Sequence, residues 1–225
     1  MNIIRIRKIV EKIVVAAIVI GFVACDKNDE KGKETDEPKN PTLVGVEING
    51  VKWATFNVDK PGTFTKKAED SGMFYQWNRK IGWEANNPLQ NSEGGNTWDA
   101  TASEGDTWEK INDPSPEGYR VPTEAEIRSL LNEEFVSNEW ITQNGIVGRL
   151  FTDKTSGNSI FLPAALSRSN ANGALPFPGS TYGNYWSNTI GVASKSAYRL
   201  DFGPGIARIN YDNRANGFTV RPVVE

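Results

Sequence analysis

Cys25 is the only cysteine in this 225-residue chain, and the chain has no histidine. One cysteine excludes a disulfide within the chain, a Cys-x-x-Cys pair and a thiolate metal cluster. The absence of histidine excludes Ser-His-Asp and Cys-His catalytic sets, a His-bearing zinc site and an imidazole acid/base pair. Any chemistry is left to carboxylates, Lys, Tyr, Ser, Thr and the backbone.

The place of that cysteine is informative. Arg5, Arg7, Lys8 and Lys12 form a basic start, and an uncharged run of 12 residues, Ile13 to Ala24, follows. A helix needs about 20 apolar residues to span a bilayer, so this run fits a signal-peptide core instead. Phe22-Val23-Ala24-Cys25 resembles a bacterial lipobox, with Phe22 where Leu is usual. On this reading residues 1–24 are a lipoprotein signal peptide, Cys25 becomes the lipidated mature N-terminus, and the acyl chains hold the protein to a membrane. Of the 15 residues from Asp26 to Asn40, ten are charged and none is apolar. Such a stretch buries too little to offset its ordering entropy, so residues 25–40 are expected to be a lipidated, disordered tether. The acidic cluster Asp26, Asp29 and Glu30 resembles the export signal of Bacteroides-type surface lipoproteins. The expected location is therefore the bacterial outer membrane, on the cell surface.

Four bases and one acid lie in residues 1–24, which leaves 21 bases and 27 acids, a net of −6, for the rest. A mildly acidic body offers no electrostatic reason to bind nucleic acid.

Residues 41–225 read as one domain. Leu43 to Ala54 predicts two short strands around the turn Asn49-Gly50. Met73–Trp77 is a further strand. Residues 84–118 are rich in Asn, Gly, Ser, Asp and Pro and predict long loops, with a possible helix near 84–90. Thr123-Glu124-Ala125-Glu126 has the spacing of a capping box, and Ile127, Leu130, Leu131 and Phe135 follow on one helical face that Gly145 closes. Strands are predicted at 148–152, 159–162, 185–187, 196–202, 206–211 and 218–223. Gly203-Pro204-Gly205 reads as a hairpin turn.

Several segments together resemble a known family. They are Trp53-Ala54-Thr55, Pro61-Gly62-Thr63-Phe64, Gly72–Trp77, Asp113–Glu126, Phe161–Ala165, Tyr185-Trp186-Ser187 and Val220-Arg221-Pro222-Val223. In this order they resemble the Fibrobacter succinogenes major paralogous domain, over nearly all of 43–225. That family is similar in fold to C-type-lectin-like domains and formylglycine-generating enzymes. Arg120, Pro122, Thr123 and Glu126 match the Arg-Leu-Pro-Thr-Glu-Ala-Glu helix start of the enzyme group. The resemblance implies an α+β, C-type-lectin-like fold with short antiparallel strands, one or two helices and long loops. It implies no catalysis: the related enzymes use cysteines with copper or histidines with iron, and the mature domain has neither. Relatives often carry Cys at the positions of Ser115 and sometimes Phe56.

In C-type-lectin-like folds the C-terminal third forms the ligand face. Here it contains Asn170, Asn172, Tyr182, Asn184, Tyr185, Trp186, Tyr198, Tyr211, Asn213 and Arg214. Tyr and Asn are adaptable contact residues of low entropic cost. The alternative is that these are turn residues and half-buried strand aromatics. Trp77 and Trp108 read as core, while Trp83 and Trp98 remain open between core and sugar stacking. Calcium is a weaker candidate, because Trp98-Asp99 and Tyr211-Asp212-Asn213 do not reproduce the Trp-Asn-Asp setting of calcium-dependent lectins. No carboxylate pair is nominated for glycosidase chemistry. The expectation is a surface binding protein, not an enzyme, that recognises glycan or protein. The alternatives are a structural or tip component of a surface fibre, and an enzyme using carboxylates or a recruited metal.

Overall fold

The computed structural model describes residues 44–176 and 181–225, in which antiparallel strands alternate with long loops and turns. Cys25 and the rest of residues 1–40 lie outside the described residues. Strands β1 (Val46–Ile48) and β2 (Val51–Trp53) form an antiparallel hairpin. Asn49 and Gly50, with φ of 47° and 77°, supply the left-handed turn. β3 (Phe74–Gln76) and β4 (Gly82–Trp83) follow, then a 3-10 turn at Lys110–Asn112 and β5 (Tyr119–Arg120).

The single α-helix among the described residues, α1, spans Glu124–Leu130. Its capping box closes: the Glu126 amide donates to Thr123 Oγ1 at 3.1 Å, and the Thr123 amide donates to Glu126 Oε2 at 2.7 Å. Arg120 adds a two-pronged pair to the same carboxylate, at 2.6 and 2.8 Å. Burial pushes the Glu126 carboxyl up, but the Arg120 fork and the Thr123 donors outweigh it and hold it low. Ile127 and Leu130 are buried as the spacing predicts. Phe135 is not: it is 42% exposed and lies beyond the helix end.

Here the structure corrects the sequence reading. After a turn at residues 133–135 the chain forms β6 (Val136–Gln143), which turns at Asn144-Gly145 into β7 (Ile146–Asp153). Asn144 and Gly145 have φ of 47° and 84°, so the glycine read as a helix stop is a hairpin turn. No helix forms near 84–90, where residues 85–88 make bends. β8 (Ser159–Pro163), β9 (Gly183–Ile190), β10 (Ser196–Gly203) and β11 (Ile206–Asn213) are longer than predicted or match it closely. The predicted strand 218–223 divides into β12 (Gly217–Phe218) and β13 (Val223–Val224). The fold is thus mainly antiparallel β with one short helix.

Four small sheets result, with orders β1-β2-β13-β5, β12-β3-β4, β6-β7-β8 and β9-β10-β11. β13 lies between β2 and β5, so the last strand closes against the first hairpin: Val223 pairs with Trp53 and with Arg120. The β9-β10-β11 sheet separates two cores. Tyr185, Leu200 and Phe202 face a cluster containing Ile127, Leu130, Phe151, Leu162 and Trp53. Trp186 and Ala197, on the opposite face, join Tyr75, Trp77, Trp108, Val121 and Phe218. Gly183 is where the sheet needs a bare backbone, since a Cβ there would stand 2.1 Å from the Phe202 ring.

Three buried arginines tie the long loops down. Arg168 donates to the carbonyls of Glu84 (2.8 Å), Gly173 (2.6 Å) and Asn86. Arg214 donates to Ser196 (3.1 Å), Ser103 (3.0 Å) and Gly105 (2.9 Å), with its guanidinium over Trp77. Arg221 reaches the carbonyls of Ala54, Thr55 and Phe161. None of the three forms an ion pair among the described residues. Buried carbonyls need donors, and a guanidinium supplies several in a fixed fork.

Candidate functional site

Strand alternation divides the candidate residues of the C-terminal third. On β9, Tyr185 and Trp186 point into the two opposite cores, and both are buried. The Tyr185 hydroxyl donates to the Pro163 carbonyl at 2.7 Å, and Trp186 Nε1 donates to the Tyr75 carbonyl at 2.7 Å. Burial drives the Tyr185 hydroxyl far above its ordinary value. Asn184 and Arg214 are also buried and hydrogen-bonded to protein partners. These four are corrected from ligand contacts to core and support, because each is buried and bonded within the domain.

Asn170 and Asn172 form a loop. The Asn170 carbonyl accepts from Trp98 Nε1 at 3.2 Å, and its amide donates to Asn216 Oδ1 at 2.7 Å. Asn172 Oδ1 accepts from the Ala174 amide at 3.0 Å. The Asn172 side chain thus serves a local turn, while Asn170 is held through its backbone by Trp98 and Asn216.

The remaining candidates lie at the two ends of the sheet. Tyr182 is 53% exposed and stands against Gly203, beside the pair Gly183 and Phe202. Tyr198 and Tyr211 are directly opposite each other on β10 and β11, about 13 Å further along at the usual strand rise. Their ring centroids are 6.2 Å apart with planes at 86°, an edge-to-face pair. Tyr211 is 43% exposed and Tyr198 half-buried. Asn213, two residues on and exposed, shares their face; its Oδ1 accepts from the Ala215 amide at 2.9 Å. The β9–β10 turn lies against Tyr211 at Gly191, and the next residue, Val192, is 75% exposed.

Sequence reasoning passed over Val192 and the ionic network on the other face. There Arg199 contacts Asp201 Oδ1 at 3.2 Å and Asp212 Oδ2 at 3.4 Å, and Arg208 Nε meets Asp201 Oδ2 at 3.0 Å. The signal was present: Arg199-x-Asp201 places both charges on one face of a strand. Burial pushes the Asp201 carboxyl up, but Arg199 and then Arg208 outweigh it and hold it low.

The two calcium-like strings are spent on protein partners. Asp99 pairs with Arg79 at 2.5 Å and accepts the Thr101 amide, which, with the amide first, holds it at about 2. Asp212 Oδ1 accepts from the Asn213 amide and from Asn216 Nδ2. Among the described residues no three carboxylates are grouped to hold a metal ion. Glu124 pairs with Arg128, as Glu126 does with Arg120. The four tryptophans resolve as well: Trp77, Trp83 and Trp108 are buried, and Trp98 is partly buried against Trp83, with ring centroids 4.9 Å apart.

No protein-family model, curated protein or solved structure matches the chain. Among the described residues no helix is long and apolar enough to cross a membrane.

Proposed function

We propose that this chain is a lipid-anchored surface binding protein of the outer membrane, with a C-type-lectin-like domain of the major paralogous kind. It recognises glycan or protein ligands and performs no covalent chemistry. The observation that carries the reading is the edge-to-face pair of half-buried Tyr198 and exposed Tyr211, flanked by Asn213 and Val192 at one end of the β9-β10-β11 sheet. Two rings on a strand pair have few rotors to immobilise, so stacking on a sugar ring or an apolar side chain costs little ordering entropy. The ordered motif series from Trp53 to Val223 and the lipobox at Cys25 support the family and the anchor. Many copies on one membrane would add avidity to a weak single contact.

A glycan array and a panel of cell-surface proteins, probed with fragment 42–225, test the reading directly. That fragment forms one compact unit. Saturable binding to a defined set of ligands is expected; no binding on either panel would reject recognition as the function.

A further inference from the structure

β6 leaves its outer edge unpaired. The turn Asn144-Gly145 makes Gln143 and Ile146 the closing pair of its hairpin with β7. Every second residue back from Gln143 therefore bonds to β7, and Asn138, Trp140 and Thr142 turn their N–H and C=O groups away from the sheet. Val136, the next in that set, gives its amide to the Asn132 carbonyl at 2.9 Å. The backbone groups of Asn138, Trp140 and Thr142 have no partner among the described residues. Thr142 is exposed, and Asn138 and Trp140 are half-buried.

The other sheet edges among the described residues are covered, partly capped or short. On β8 the Phe161 carbonyl accepts from Arg221 at 3.1 Å and the Pro163 carbonyl from the Tyr185 hydroxyl at 2.7 Å, and Pro163 has no N–H to offer. On β9 the Trp186 amide donates to the Thr219 carbonyl at 3.1 Å and the Asn188 amide to the Pro122 carbonyl at 2.8 Å. On β11 the outward amides of Tyr211 and Asn213 are taken by the side chains of Asn210 and Asp212, at 2.9 and 2.8 Å. β1, β4, β5 and β12 have only two or three residues each. β6 has eight, an unbroken register with β7, and neither Lys nor Pro to discourage a further strand.

We propose that this edge pairs antiparallel with β6 of a second copy of the chain, joining two three-stranded sheets into one. Backbone pattern and charge together select the register. Centred on Trp140, the pairing sets Asn138 against the partner's Thr142 and Trp140 against the partner's Trp140. All three outward residues of each copy then exchange hydrogen bonds, and the half-buried indoles cover apolar surface of one another. Glu139, the only charged residue of β6, stands opposite the partner's Ile141. Centred on Glu139 instead, two carboxylates would face each other where side chains approach most closely. The strand is thus complementary to itself in backbone pattern and in charge.

Sedimentation velocity of the purified full-length chain tests this, in density-matched detergent at low salt, with reductant to keep Cys25 from cross-linking. A reversible monomer–dimer equilibrium is expected between about 5 and 200 µM, since a strand pair alone buries less than a standard interface. Thr142→Pro removes an outward N–H and no ladder bond. It should weaken the dimer by at least about tenfold and leave the melting temperature close to the parent's. Ile141→Lys places a cation opposite Glu139 at both symmetric positions and should tighten the dimer about threefold, a gain that a damaged fold cannot mimic. A monomer at every concentration, a dimer that Thr142→Pro leaves intact, a dimer weakened by Ile141→Lys, or an edge found occupied by a strand of another protein would overturn the proposal.

Discussion

Arg221 Nε donates to Asn57 Oδ1 at 2.7 Å in the core, across 164 residues of sequence. Asn57 passes the link on, donating to the carbonyls of Asp70 and Ser71. The segment before β13, the loop after β2 and Phe161 of β8 are thus joined through one guanidinium. Burial lowers Arg221 to about 10, which still leaves it charged at neutral pH. Arg221→Met would strand three backbone carbonyls and the Asn57 side-chain oxygen. A loss of about 3–5 kcal/mol is expected, read as a lower urea midpoint. Arg221→Lys should recover little, because an ammonium cannot reproduce the fork. A Met variant within about 1 kcal/mol of the parent would contradict this account of the loops.

The helix start gives a smaller, local effect. Thr123→Ala should cost about 1 kcal/mol through the lost cap. Because Thr123 and Glu126 satisfy each other, the double variant with Glu126→Ala should cost less than the two single losses together. Strict additivity in chemical denaturation would show that the box is not a coupled unit.

The parts of the fold read correctly from sequence are those where local chemistry decides. Asn49-Gly50 takes left-handed dihedrals and so makes its hairpin, and Thr123-x-x-Glu126 starts a helix wherever it is placed. The error at 131–145 has a physical cause. Leu131 and Phe135 continue a helical spacing, but α1 ends at Leu130, and Val136, Trp140 and Ile141 gain more as a strand paired with β7. Tertiary pairing overrode a weak periodic signal. The site was half legible. Tyr198 and Tyr211 were chosen for residue type alone, and so were Tyr185 and Trp186, which are core. Neighbouring residues on a strand between two cores both face inward, and composition cannot distinguish that from an exposed strand.

Asp153 predicts an acid-dependent loss of stability. Its carboxylate accepts from the amides of Ser156, Asn49 and Thr155, which hold it at about 2. A carboxyl with its folded value depressed stabilises above its unfolded value, near 3.9, and that contribution fades as pH falls through 2. The difference in melting temperature between the parent and Asp153→Asn should therefore be constant above about pH 5 and shrink between pH 4 and pH 2. Parallel melting curves across that window would remove Asp153 as the cause.

The proposed anchor makes its own prediction. Cys25→Ser should abolish incorporation of labelled fatty acid and release the protein from the membrane fraction. Protease added to intact cells should cleave the parent domain. An unlabelled parent, or one shielded from protease, would contradict lipidation or surface display respectively.

Ligand binding by the tyrosine pair is the central claim, and one comparison measures it. On the ligand panels above, fragment 42–225 carrying Tyr198→Ala and Tyr211→Ala should lose binding by at least about tenfold, with its circular dichroism and melting temperature close to the parent's. Undiminished binding by that folded double variant would show that recognition, if present, lies elsewhere on the domain.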